Sequence, residues 1–228
     1  MPIKGETIKL KSASDGAEIS AYHVRPSGDR KGGIVLVQEI FGVTDHIREL
    51  CDGFAADGYE VIAPSLYDRE EPGFEATYSD DDIARALKLR EAAGFTHTKG
   101  DIQAAIDALH VKGNMRVHIT GYCYGGSVAW IAACHCRGLT SASGYYGRHI
   151  IDHVDDEPQC PTILHFGERD ESIPMDWVRD IEAAHPDVRV YVYDADHGFN
   201  SDRRTNYDEN ATMEARERTL ELFEMADL

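Results

Sequence analysis

Apolar residues in this chain fall into short blocks whose period switches between that of a strand and that of a helix. Gly33-Ile34-Val35-Leu36-Val37 is a continuous apolar run, the pattern of a parallel strand buried on both faces. Further strand patterns lie at Tyr59–Ala63, closed by Pro64, and at Met115–Thr120, Leu139–Ser143, Thr162–Phe166 and Val188–Tyr193. Helical patterns fill the intervals. Ile47, Leu50, Cys51, Phe54 and Ala55 share one helical face that stops at Gly58. Ser79 with Asp82 reads as a helix cap, and Thr98 with Asp101 repeats that signature before Ile102, Ala105, Ile106 and Leu109. Ser127–Cys134, Met175–Ala184 and Asp208–Met225 complete the helices, while Thr7–Leu10 and Ile19–Val24 form a hairpin around Asp15-Gly16. Residues 65–78 are irregular and aromatic. Strand and helix in alternation predict an α/β fold: a mainly parallel sheet with helices on both faces and active groups at the carboxyl ends of the strands.

Composition narrows this picture. The 228 residues, 42% of them hydrophobic, suit one globular domain over residues 1–228. With 23 basic against 41 acidic residues the formal net charge is −18, which argues against nucleic acid or an anionic membrane as a partner. The same charge repels an anionic substrate at long range, so such a substrate needs local cations. Five cysteines without a disulfide-framework spacing favour a reducing compartment. The segment Met1–Glu6 has no apolar signal region, and no apolar run nears the roughly 18 residues that span a bilayer. The expectation is a soluble cytoplasmic protein.

The chemistry concentrates at Gly121-Tyr122-Cys123-Tyr124-Gly125-Gly126. A strand, Gly-x-nucleophile-x-Gly, then a helix is the nucleophile elbow of the α/β-hydrolase fold, here with Cys123 where serine is usual. The glycines let a helix pass close to the strand, and the helix N-terminus favours a thiolate. In this fold an acid and then a histidine follow the nucleophile. Asp170 stands at the carboxyl end of the Thr162–Phe166 strand, with Glu168 and Glu171 as rivals. His197 lies in the loop after the last strand, whereas His118 and His165 sit inside strands and read as structural. After the Gly33–Val37 strand comes Gln38-Glu39-Ile40-Phe41-Gly42, so the backbone N–H groups of Tyr124 and Ile40 are the candidate oxyanion hole. A carboxylate at the mouth of a buried strand is costly unless paired. Glu39 is therefore either a salt-bridged edge acid or a second acid/base group beside Cys123.

These segments, with Gly144-Tyr145-Tyr146-Gly147 and His197-Gly198-Phe199, resemble the dienelactone hydrolases (carboxymethylenebutenolidases) over almost the whole chain. The resemblance implies a Cys123–His197–Asp170 triad, with Glu39 paired to the thiol at rest and helping to take its proton when substrate binds. It also implies hydrolysis of an enol-lactone such as 4-carboxymethylenebut-2-en-4-olide to maleylacetate, through a thioester and without a cofactor. The best-known members hold the substrate carboxylate with arginines. Here Ser201 falls where one of them stands, and the other position falls near Ile83, with Arg85 two residues on. Arg69, Arg85, Arg203 and Arg204 are the candidate replacements, and Tyr67, Tyr78, Tyr145 and Phe199 are candidate pocket walls or core residues. That mismatch leaves two other readings: a broader carboxylesterase or thioesterase with the same triad, and a non-catalytic binding protein. Cys134-His135-Cys136 lacks a second ligand pair, and the Asp194-x-Asp196 acidic run lacks the later ligands of a calcium loop, so no metal site is expected.

Overall fold

A computed structural model describes residues 5–226. Its strands are β1 (Glu6–Lys11), β2 (Glu18–Val24), β3 (Gly32–Val37), β4 (Tyr59–Pro64), β5 (Val117–Tyr122), β6 (Ser141–Tyr145), β7 (Thr162–Gly167) and β8 (Arg189–Tyr193). The helices are α1 (Asp45–Ala56), α2 (Asp80–Val111), α3 (Tyr124–His135), α4 (Met175–Ala184) and α5 (Glu209–Met225), with a 3-10 turn at Arg148–His153. All eight strands join one sheet in the order β1-β2-β4-β3-β5-β6-β7-β8. The β1/β2 hairpin and the β2/β4 pair are antiparallel, and from β4 to β8 every pairing is parallel. The mainly parallel α/β architecture expected from the alternation is present.

Side-chain alternation along the central strands builds a core on each face of the sheet. On β3, Ile34 and Leu36 pack with the cluster that holds Ile47 and Phe54 of α1 and Phe223 of α5. Val35 and Val37 point the other way, to Ile102 and Ile106 of α2 and Val128 of α3. Two buried histidines inside the strands are paired, as a low-dielectric interior favours. His118 Nδ1 bonds Ser141 Oγ at 2.8 Å, and His165 bonds the Tyr193 hydroxyl at 2.8 Å. Burial pushes the His118 imidazole down to about 4 and that of His165 down to about 3, which keeps both neutral and structural.

Strands β5 and β6 lie two residues later than the sequence pattern predicts, α3 begins three residues earlier, and one expected cap is absent. Ser79 caps α2 as expected, its hydroxyl accepting from the Asp82 N–H. Thr98 caps nothing: its hydroxyl donates to the Gly94 carbonyl and meets the Tyr124 hydroxyl at 3.0 Å. The break between the two helical stretches is at Gly94 itself, at φ 58 and ψ 160. Only glycine adopts that backbone cheaply, and the helical pattern resumes before Thr98.

Candidate active site

The elbow is built by backbone-to-backbone contact. A Cβ on Gly121 would strike the Gly125 carbonyl, one on Gly125 the Val37 carbonyl, and one on Gly126 the Tyr145 carbonyl. The start of α3 is thus wedged against the ends of β3, β5 and β6. Cys123 sits between them at φ 57 and ψ −115, a costly conformation for a side chain-bearing residue. Its N–H donates to the Tyr145 carbonyl at 3.0 Å, which fixes the turn. The thiol is half-buried and stands at the N-terminus of a helix.

His197 and Asp170 converge on it. His197 Nε2 lies 3.2 Å from Cys123 Sγ, and its Nδ1 lies 2.6 Å from Asp170 Oδ2. Asp170 is in turn held by Ser172, whose N–H (2.9 Å) and hydroxyl (2.6 Å) both donate to Oδ1. Burial alone would lower the His197 pKa, but the neighbouring Cys123 and Asp170 charges outweigh it and push the imidazole up to about 10. Burial likewise works against an ionised Asp170, yet the bonds from His197 and Ser172 hold it below the usual carboxylate range. The rivals Glu168 and Glu171 are exposed. A thiol, an imidazole and a carboxylate in this line have the geometry that nucleophilic acyl transfer requires. Ser172 went unnoticed in the sequence, although its place two residues after Asp170 is where a hydroxyl returns to an aspartate.

The Tyr124 N–H is the first of α3, where no intrahelical acceptor exists. Ile40 lies in the loop after β3, across from the elbow. Glu39 beside it is 1% exposed. Its Oε2 accepts from the Tyr78 hydroxyl at 3.1 Å, which also meets Ser201 Oγ at 2.9 Å. The resting thiol therefore faces His197, whereas the resemblance implied Glu39. Tyr78 engages that carboxylate directly, and Ser201, at the position where the resemblance places an arginine, backs the Tyr78 hydroxyl. Tyr78 packs edge-on against Phe41, and the Arg204 guanidinium lies 5.5 Å from its ring centroid. Arg204 also lies across Gly198, at φ 77, so a Cβ there would push the guanidinium aside.

The other candidates separate clearly. Arg69 forks between Asp15 and the fully buried Asp101, Arg85 pairs with Glu71, and Arg203 with Glu49 and Asp202. Each is engaged elsewhere; Arg204 has no carboxylate within 4 Å among the described residues. Arg90, unremarked in the sequence, bonds His149 Nε2 at 2.9 Å, and its charge reaches the phenols of Tyr67 and Tyr124. Tyr67 stacks on Tyr124 next to the elbow. Tyr145 and Phe199 are completely buried core residues: the Tyr145 hydroxyl meets Thr219 of α5 at 2.8 Å, and Phe199 lies among Tyr145, Tyr146 and Tyr193. Strand alternation sends Tyr145 to the α5 face, away from the elbow.

Known proteins resemble this chain in sequence and in fold. The dienelactone hydrolase family matches residues 19–226. Carboxymethylenebutenolidase 1 of Cupriavidus pinatubonensis is 31% identical over 228 residues, covering 96% of each chain. A Salmonella typhimurium protein assigned as a carboxymethylenebutenolidase is 34% identical over 236 residues, with 92% of this chain and 84% of that one covered. Among solved structures, a Klebsiella pneumoniae protein assigned as a dienelactone hydrolase superposes with a TM-score of 0.83 at 30% identity, covering 96% of this chain and 99% of the other. The fold is that of the α/β hydrolases, and the chain is a carboxymethylenebutenolidase-like hydrolase that belongs to the dienelactone hydrolase family.

Proposed function

We propose that the chain, as one domain of residues 1–228, hydrolyses an enol-lactone of the dienelactone type through a Cys123–His197–Asp170 triad. The observation that carries this reading is the alignment of Sγ, imidazole and carboxylate at 3.2 and 2.6 Å. Sulfur attacks the lactone carbonyl carbon, and the N–H groups of Ile40 and Tyr124 receive the oxyanion. The ring C–O bond then breaks, and the leaving enolate oxygen takes the proton that His197 holds. Water cleaves the resulting thioester, releasing the carboxylate product and freeing Cys123. No step requires a cofactor. A free carboxylate on the lactone finds Arg204 as the unengaged cation beside Tyr78. The thiol nucleophile and the absence of disulfides among the described cysteines suit a cytoplasmic setting.

The engagement of Arg69, Arg85 and Arg203 in ion pairs, with serine at position 201, favours a second reading: a broader carboxylesterase or thioesterase using the same triad. A panel of anionic enol-lactones and neutral esters, run on wild type and Cys123→Ala, separates the two. The first reading expects preference for the anionic lactone, a ten- to hundredfold rise in its KM in Arg204→Gln, and no turnover in Cys123→Ala. Equal or better turnover of neutral esters would select the second, and full activity of Cys123→Ala would overturn both.

A further inference from the structure

Glu39 Oε1 and the Tyr146 hydroxyl are among the buried polar atoms near the elbow that have no hydrogen-bond partner among the described residues. Leaving such atoms unmet costs about 1–3 kcal/mol each, more for a charged group, so a native site that keeps them has a use for them. Tyr146 is held deliberately. It follows β6 at φ 38, a strained backbone for a bulky residue, and its N–H donates to the His165 carbonyl at 2.7 Å. Its ring packs edge-on against the His197 imidazole, 5.1 Å between centroids, and against Phe199. Burial first, then the Glu39 and Cys123 charges, raise this phenol well above its ordinary pKa, so it stays a hydrogen-bond donor at neutral pH.

Glu39 is held from one side only. Tyr78 fixes Oε2 and is itself backed by Ser201, which leaves Oε1 as a fixed, unengaged carboxylate oxygen. His197 Nε2 faces the sulfur, so the ring already has its task there. We infer that Glu39 Oε1 and the Tyr146 hydroxyl together hold and activate the water that hydrolyses the thioester, with Tyr78 and Ser201 as positioning residues for Glu39. In this step Glu39 takes one proton of the water, and the water oxygen bonds to the thioester carbonyl carbon. The C–S bond breaks and sulfur leaves as thiolate. The new carboxylic acid gives its proton to His197, restoring the thiolate–imidazolium pair, and Glu39 returns its proton to solvent. Acylation is served by His197, and deacylation by Glu39.

The inference rests on the thioester route proposed above, and burst kinetics with 4-nitrophenyl acetate on the full chain test the two separately. Glu39→Gln is expected to keep a burst of one 4-nitrophenolate per chain while steady-state turnover falls at least a hundredfold. Acetyl-Cys123 then accumulates, visible by mass spectrometry, and hydroxylamine, which needs no base, restores turnover. Tyr146→Phe is expected to show the same split at about tenfold. Tyr78→Phe is expected to slow only the steady state and to shift the acid limb of its pH profile, a shift that a packing defect would not give. An equal slowing of burst and steady state in Glu39→Gln, or wild-type deacylation in both Glu39→Gln and Tyr146→Phe, would overturn the inference while leaving the triad intact. Failure to detect acetyl-Cys123 in any variant, together with no burst, would instead overturn the thioester route and this inference with it.

Discussion

Replacing Asp170 by asparagine exchanges one carboxylate oxygen for an NH2 group and is expected to disable the site. Asp170 Oδ1 receives two donors from Ser172, at 2.9 and 2.6 Å, while Oδ2 receives the His197 Nδ1 proton at 2.6 Å. An asparagine has one oxygen, and two Ser172 donors claim it. Its NH2 group must then face His197, so Nδ1 becomes the acceptor and the proton moves to Nε2. An Nε2–H cannot take a proton from sulfur. The electrostatic loss adds to this. The rise of His197 from its ordinary 6.5 to about 10 corresponds to roughly 5 kcal/mol. Cys123 and Asp170 both feed that rise, so removing the carboxylate charge forfeits part of it and makes the imidazole a weaker base. With the wrong tautomer the total loss is expected to approach about 10⁴-fold, the size the same exchange has in serine triads. The assay is the acylation rate of Cys123 by a chromogenic ester, with Asp170→Ala as comparison. The tautomer argument requires Asn, though closest in shape, to be no better than Ala. An Asp170→Asn enzyme within tenfold of wild type, or clearly faster than Asp170→Ala, would refute it.

Gly121→Ala is expected to destabilise by about 3 kcal/mol or more, because its Cβ meets the Gly125 backbone and nothing flexible can yield. Urea midpoints should show far less effect for Gly73→Ala, where a Cβ meets nothing and only the φ of +71 is strained. Glu60 is buried beside His23, Arg30 and Asn114; burial pushes its pKa up, but these donors win and hold it below the ordinary value. Its stabilisation is therefore complete above the unfolded-state carboxylate pKa and is lost as pH falls through the lower folded value. Urea midpoints at pH 7 and again below the lowered folded pKa should show Glu60→Gln costing about 3–5 kcal/mol at the higher pH and progressively less as the carboxylate is protonated. Burial pushes Cys134 up to about 12, Cys136 and Cys160 to about 11, and Cys51 higher still, so limiting iodoacetamide near pH 7 should label Cys123 alone in a peptide map.

The strands and helices were legible because burial on one or both faces imposes a period that short apolar runs display directly. The elbow, the acid and the histidine were legible because each lies just past a strand end, where this fold presents functional groups. The misread cap at Thr98 was a local pattern overridden by a tertiary one: its hydroxyl had a better partner in Tyr124, and Gly94 was the readable break. Arginine roles were not legible at all. Arg69 meets Asp15 and Asp101 only after the chain folds back, and no local spacing announces that two acids will claim it. The Tyr78 bond to Glu39, backed by Ser201, joins residues far apart in the chain and is likewise invisible to periodicity.

Glu39, Cys123, Asp170 and His197 follow β3, β5, β7 and β8 respectively, and these strands become neighbours only through parallel pairings separated by whole helices. Parallel pairing closes long loops and is slow. During refolding, secondary structure and the β1/β2 hairpin can form long before Sγ meets the imidazole. Recovery of Cys123 reactivity is therefore a clock for the last stage of assembly, and it should lag behind the recovery of helical circular dichroism.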